Sequence, residues 1–209
     1  MRSIAPYLTD RRDATLLSVC PMLMQPRFGT LAPVAPGTKR FVAAQDGIYL
    51  EAATPAIDAR VRFAATPPLP YGAVSEHITA AAGLIPRELF DFMCERAVKQ
   101  CPDEYAAVVL LDANGRDYCL HEPRVKSVSG GHITYATHDF ETERLVLDLH
   151  SHGHGQSFFS ATDDASDQDG LYFASVLGRC GAGDTITATT RLVVDGFFVP
   201  LSWHPWSAS

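Results

Sequence analysis

Leu145-Val146-Leu147-Asp148-Leu149-His150-Ser151-His152-Gly153-His154 leads, through a loop rich in Gly and Ser, into Ser160-Ala161-Thr162-Asp163. The stretch from Leu145 to Leu149 is apolar but for one Asp, the pattern of a buried strand. In an extended chain alternate side chains share a face, so His150 and His152 present their imidazoles together at the strand's end. Two imidazoles are half of a tetrahedral zinc site; a hydrolytic site adds one more protein ligand and leaves the fourth position to water. Ser160 suits the cap of a short helix near residues 162–169, and Asp163 in its first turn can swing back as the third ligand.

Each residue also has a plainer explanation. Alternate histidines on a strand are commonly surface or structural, and a helix cap accounts for Ser160 without chemistry. The joint register of His150, His152, Ser160 and Asp163 is what favours a metal. His154 continues the alternation, but a loop position or a substrate contact suits it better than ligation. Asp164 rivals Asp163, and the spacing decides for Asp163. Asp167 and Asp169, with their two neighbours, lack the spacing and distal Glu of a calcium loop and read as a solvated face.

Two histidines and one aspartate leave a divalent ion with net positive charge, able to lower the pKa of a bound water toward neutrality. The water's proton then needs a carboxylate that does not ligate the metal. Glu104 is the choice. It follows Pro102-Asp103 and opens the apolar run Tyr105 to Leu111, where an acid has little reason to sit unless it serves a site. Asp103, next to it, is the competing candidate.

Around these residues the periodicity predicts an α+β domain. Pro86 begins a helix to about residue 100, with Leu89, Met93 and Ala97 beside Phe90, Cys94 and Val98 on one face. Strands follow at 105–111, 117–121, 132–137, 144–149, 171–177, 185–194 and 197–203, with turn chemistry at Asp112-Ala113-Asn114-Gly115 and Asp195-Gly196. The breaker Thr66-Pro67-Pro68-Leu69-Pro70-Tyr71-Gly72 marks a boundary, giving an N-terminal appendage over 1–72 and a main domain over 73–209. The appendage reads as irregular up to about residue 36, with Pro6, Pro21, Pro26, Pro33 and Pro36. Strands at 40–44, 47–52 and 59–64 follow.

The spacing His150-x-His152, seven residues, Ser160, two residues, Asp163, with a helix and a Glu at the head of a strand before it, resembles the JAMM motif of the JAB/MPN/Mov34 metalloenzymes. The likeness covers about residues 80–209. It implies a JAB/MPN-like mixed sheet flanked by a long and a short helix. It implies Zn2+ on His150, His152 and Asp163, Glu104 as general base and acid, and Ser160 stabilising the oxyanion. The implied reaction is hydrolysis of a peptide or isopeptide bond at the C-terminus of a ubiquitin-like protein, with E1- or E2-like proteins of the same system as further partners. The long N-terminal extension and His-Ser-His-Gly-His-Gly are similar to members encoded in the bacterial PRTRC gene system. Two departures bear on the substrate groove: Gly153 where the family often has Pro, and Ala107 where it often has Gly. The alternative function is a non-catalytic MPN-type module that binds protein; a DNA-associated relative within the same fold is a weaker third.

Bulk composition narrows the rest. A net charge of -7 speaks against nucleic acid as the main partner. No run of eighteen apolar residues offers a membrane span, and Arg2, Asp10, Arg11, Arg12 and Asp13 break any signal-peptide core. Five scattered cysteines without a Cys-x-x-Cys pair read as free thiols in the cytoplasm.

Overall fold

A computed structural model of the chain describes residues 11–129, 132–135 and 140–207. Pro6 and the charged start at Arg2 and Asp10 lie outside the described residues, as do Ala136 and Thr137 of the expected strand 132–137. The chain forms two compact units, Met1–Thr54 with Asp58–Thr79, and Pro55–Ile57 with Ala80–Ser209. Among the described residues no helix is long and apolar enough to cross a membrane.

The first unit holds α1 (Arg11–Val19) and the strands β1 (Met22–Met24), β2 (Thr38–Ala44), β3 (Gly47–Ala53), β4 (Ile57–Ala65) and β5 (His77–Ala80), ordered β1-β2-β3-β4-β5 in one sheet. Gln45-Asp46 turns β2 back on β3, with Ala44 opposite Gly47. Glu51 is buried at the sheet's centre because Arg40 and Arg60, its cross-strand neighbours, each reach it at 2.5 Å. The segment expected to be irregular contains α1 and β1. Three residues are too few to show a period, and β1 is held instead by parallel pairing with β2. The proline-rich stretch 66–72 lies inside this unit, since β5 follows it and joins the same sheet.

In the second unit α2 (Arg87–Gln100) starts after Pro86 and buries Phe90, Met93 and Ala97, one stripe at helical spacing. The strands are β6 (Ala106–Leu111), β7 (Tyr118–His121), β8 (Val125–Ser129), β9 (His132–Tyr135), β10 (Leu145–Ser151), β11 (Leu171–Gly178), β12 (Thr187–Val194) and β13 (Phe197–Pro200), with α3 (Ala161–Ser166) between β10 and β11. Six form a mixed sheet, β13-β12-β11-β10-β6-β7, in which only β10 and β11 run parallel; β8 and β9 pair apart from it. This is the α+β architecture that the patterning predicts. β13 stops at Pro200, short of Trp203, and α3 ends at Ser166 rather than near 169. β8 has no counterpart in the sequence reading.

Both faces of the six-stranded sheet are buried. One carries Val108, Leu110, Leu145, Tyr172, Ala174 and Val193, with Phe140, Phe159 and Phe198 packed against it. The other carries Ala107, Val109, Leu147, Leu149 and Phe173. Between Leu145 and Leu147 the pairing to β6 slips: Leu145 opposes Leu110, and Leu147 already opposes Val109. Val146 is the extra residue of a β-bulge, and every later side chain of β10 changes face. Asp148 therefore opposes Val108, and His150 opposes Ala106, on the side where Phe159 leads into α3.

Candidate metal centre

His150 is the penultimate residue of β10, and His152 follows the strand's last residue. Their Nε2 atoms are 3.3 Å apart. Asp163, from the first turn of α3, brings Oδ1 to 3.3 Å from His150 Nε2. The three ligand atoms all lie within 4.8 Å of one another, and among the described residues no other group of three or more His, Cys, Asp or Glu does so. Metal–nitrogen bonds of about 2.0–2.1 Å at tetrahedral angles place ligand atoms about 3.3 Å apart, so the donor chemistry and the two separations from His150 fit zinc.

Neighbouring groups fix each donor. His152 Nδ1 donates to the Gln156 carbonyl at 3.1 Å, which leaves the Nε2 lone pair turned to the centre. Phe158, 53% exposed, packs edge-on against the same ring at 4.9 Å. The Ser160 backbone N–H donates to Asp163 Oδ2 at 2.6 Å, and Ser160 Oγ accepts from the Asp163 N–H at 3.3 Å. This capping box occupies one carboxylate oxygen and leaves the other facing His150. The cap uses a lone pair of Ser160 Oγ and not its proton.

Glu104 lies just before β6 and is 2% exposed, with Oε1 lacking a hydrogen-bond partner. A dry, unpaired carboxylate is costly, and such a group is retained where something outside the protein completes it. Burial, and then the negative charge of Asp163, push its carboxyl up to about 7. The backbone around it is tied down. Gln100 Nε2 donates to the Glu104 carbonyl at 2.6 Å. Ser151 donates its N–H to the Tyr105 carbonyl and accepts the Tyr105 N–H on Oγ, both at 2.9 Å. The residue between the two histidines thus fastens the strand of the acid to the strand of the ligands.

Gly153 completes this fastening. Its φ is +51°, and a Cβ there would stand 2.4 Å from the Pro102 carbonyl oxygen, two residues before Glu104. Proline, with φ fixed near about −65°, cannot adopt this backbone, so the departure at 153 goes with a loop of different shape. Ala107 is fully buried opposite Leu149, on the face away from His150; it bears on core packing and not on a groove.

His154 is exposed, and its ring lies against Gly181, outside the three-ligand cluster. The solvated face expected at the acidic residues holds for Asp169, which is exposed, and is corrected for two others: Asp164 Oδ1 pairs with Arg191 at 2.5 Å, and Asp167 Oδ2 with the same guanidinium at 2.7 Å. Tyr172 OH donates to Asp167 Oδ1 at 2.8 Å, and only 9% of Asp167 is exposed. At these two positions ion pairing with a buried cation overrides the solubility that an acidic run suggests. Sequence reasoning missed Ser151, the Gln156 carbonyl and Arg191. Arg191 alone left a trace, as one cation followed at once by the apolar run Leu192-Val193-Val194.

The family model described as prokaryotic homologs of the JAB domain matches residues 86–192, just over half of the chain, including Glu104, both histidines and Asp163. A second, described as a domain of unknown function (DUF2016), matches residues 10–80. No curated protein matches the chain. The solution structure of a Desulfitobacterium hafniense protein is similar at 13% identity and a TM-score of 0.45, covering 56% of this chain and 88% of that one. On the extent of the first match, the chain belongs to the family of prokaryotic homologs of the JAB domain.

Proposed function

We propose that the chain is a zinc-dependent hydrolase cleaving a peptide or isopeptide bond at the C-terminus of a ubiquitin-like protein. The observation that carries this reading is Glu104: a buried carboxyl with an unpartnered oxygen, held near Asp163 by ties to the ligand strand. His150, His152 and Asp163 would hold the ion. Bound zinc would supply Lewis acidity and a water acidic enough to be deprotonated near neutral pH. Glu104 takes the proton of the attacking water and hands it to the leaving amine, a task suited to a buried carboxylate whose Oε1 no protein donor occupies. Ser160 stabilises the developing oxyanion with the hydroxyl proton that its capping role leaves unspent.

The resemblance of the motif to that of the JAMM metalloenzymes is what supports this substrate class, and with it the proposal of E1- or E2-like partners in a bacterial multi-protein system such as PRTRC. Free thiols at all five cysteines support a reducing, cytoplasmic setting. The test uses a ubiquitin-like protein bearing a C-terminal extension. Wild-type protein loaded with zinc should cleave it, and Glu104→Gln should bind zinc equally and cleave at least about a hundredfold more slowly. Equal cleavage by the variant removes the mechanism. Stoichiometric zinc without cleavage by the wild type favours the non-catalytic binding module instead.

A further inference from the structure

Arg191 projects from β12 on the sheet face that bears Tyr172, Ala174 and His150, since it opposes Ala174 across the strand pair. Its side chain is only 7% exposed. The guanidinium lies 3.8 Å from the ring centre of Phe159 and 3.8 Å from that of Phe198. It also pairs with Asp164 at 2.5 Å and Asp167 at 2.7 Å. Phe159 immediately precedes the cap Ser160, and Asp167 closes the helix. One buried cation thus grips α3 at both ends.

We propose that Arg191 is a positioning residue of the metal centre, setting the rotation of α3 about its own axis so that Asp163, and not Asp164, faces the histidines. The inference rests on the zinc reading above. α3 has only six residues, too short to be held by its own backbone bonds. Successive residues on a helix differ by about 100°, so Asp163 and Asp164 cannot both face one point. A planar guanidinium that engages Asp164 and Asp167 together leaves Asp163 one direction. It also offsets two carboxylate charges near the ligands, which removes Asp164 as a competing donor.

Zinc dissociation constants measured by competition with a chromophoric chelator test this. Arg191→Lys keeps the charge but cannot bridge two carboxylates between two rings, and should weaken zinc binding on the order of tenfold to a hundredfold. The double variant Asp164→Asn with Asp167→Asn should reproduce that loss, and adding Arg191→Lys to it should cost little more. Leu192→Ala, fully buried on the opposite face, is the control for destabilisation alone; it should lower Tm and keep zinc affinity within about twofold. Arg191→Lys binding zinc as tightly as wild type overturns the assignment, and so does an equal loss in the control. A wild-type protein that binds no zinc removes the metal reading itself, a result distinct from either.

Discussion

Replacing Glu104 by Gln should make the metal-free second unit more resistant to unfolding as pH rises. In the folded chain the carboxyl is pushed from an ordinary 4.5 up to about 7, by burial first and Asp163 second. With the folded pKa raised, the protonated group's contribution is fully present below pH 4.5 and is lost as pH climbs through about 7. About 2.5 pKa units at about 1.36 kcal/mol each give on the order of 3 kcal/mol, nearly all of it gone by about pH 8. Gln never ionises, so the variant escapes this loss. Its amide adds an offset that does not vary with pH, so the slope and not the absolute difference is diagnostic. Urea unfolding followed by tryptophan fluorescence is the assay. Trp203 and Trp206 are the only tryptophans and both belong to the second unit, so the signal is free of the first. In a chelator the stability of the Glu104→Gln variant minus that of wild type should grow by roughly 3 kcal/mol between about pH 4.5 and about pH 8, and saturating zinc should shrink the growth by offsetting the carboxylate's charge. A difference that stays flat across that range refutes a dry Glu104 beside Asp163.

The loop contacts give further tests. Gly153→Ala combines a positive φ with a Cβ 2.4 Å from the Pro102 oxygen; it should cost at least about 2 kcal/mol in urea unfolding and slow hydrolysis by displacing Glu104. Ser151→Ala strands the buried Tyr105 N–H, a loss of about 1–3 kcal/mol, and should lower kcat while zinc affinity stays near wild type, because neither imidazole depends on the hydroxyl.

What the sequence reveals, and what it hides, divides by the range of the interaction. Alternation along β10 and the capping pattern at Ser160 are local rules, and they are enough to name His150, His152 and Asp163, whose ligand atoms the fold gathers within 4.8 Å of one another. An acid heading an apolar run points to Glu104, and the structure puts it in a dry setting near Asp163. α1 and β1 escape notice because nine polar-rich residues and a three-residue strand have little period to detect. Arg191 lies 27 residues from Asp164, and Ser151 lies 46 from Tyr105; partnerships at that distance exist only once the sheet has formed. Asp164 and Asp167 mislead for the same reason, their cation being far along the chain.

The supernumerary Val146 makes strand parity part of the chemistry. A relative of the same length whose strand paired without this slip would keep Glu, His-x-His, Ser and Asp in unbroken linear order, and any motif scan would score it as intact. Its first imidazole would nevertheless point into the opposite hydrophobic layer, out of reach of the carboxylate it must meet. In this fold, the pairing register between Leu145 and His150 says as much about competence as identifying the ligands.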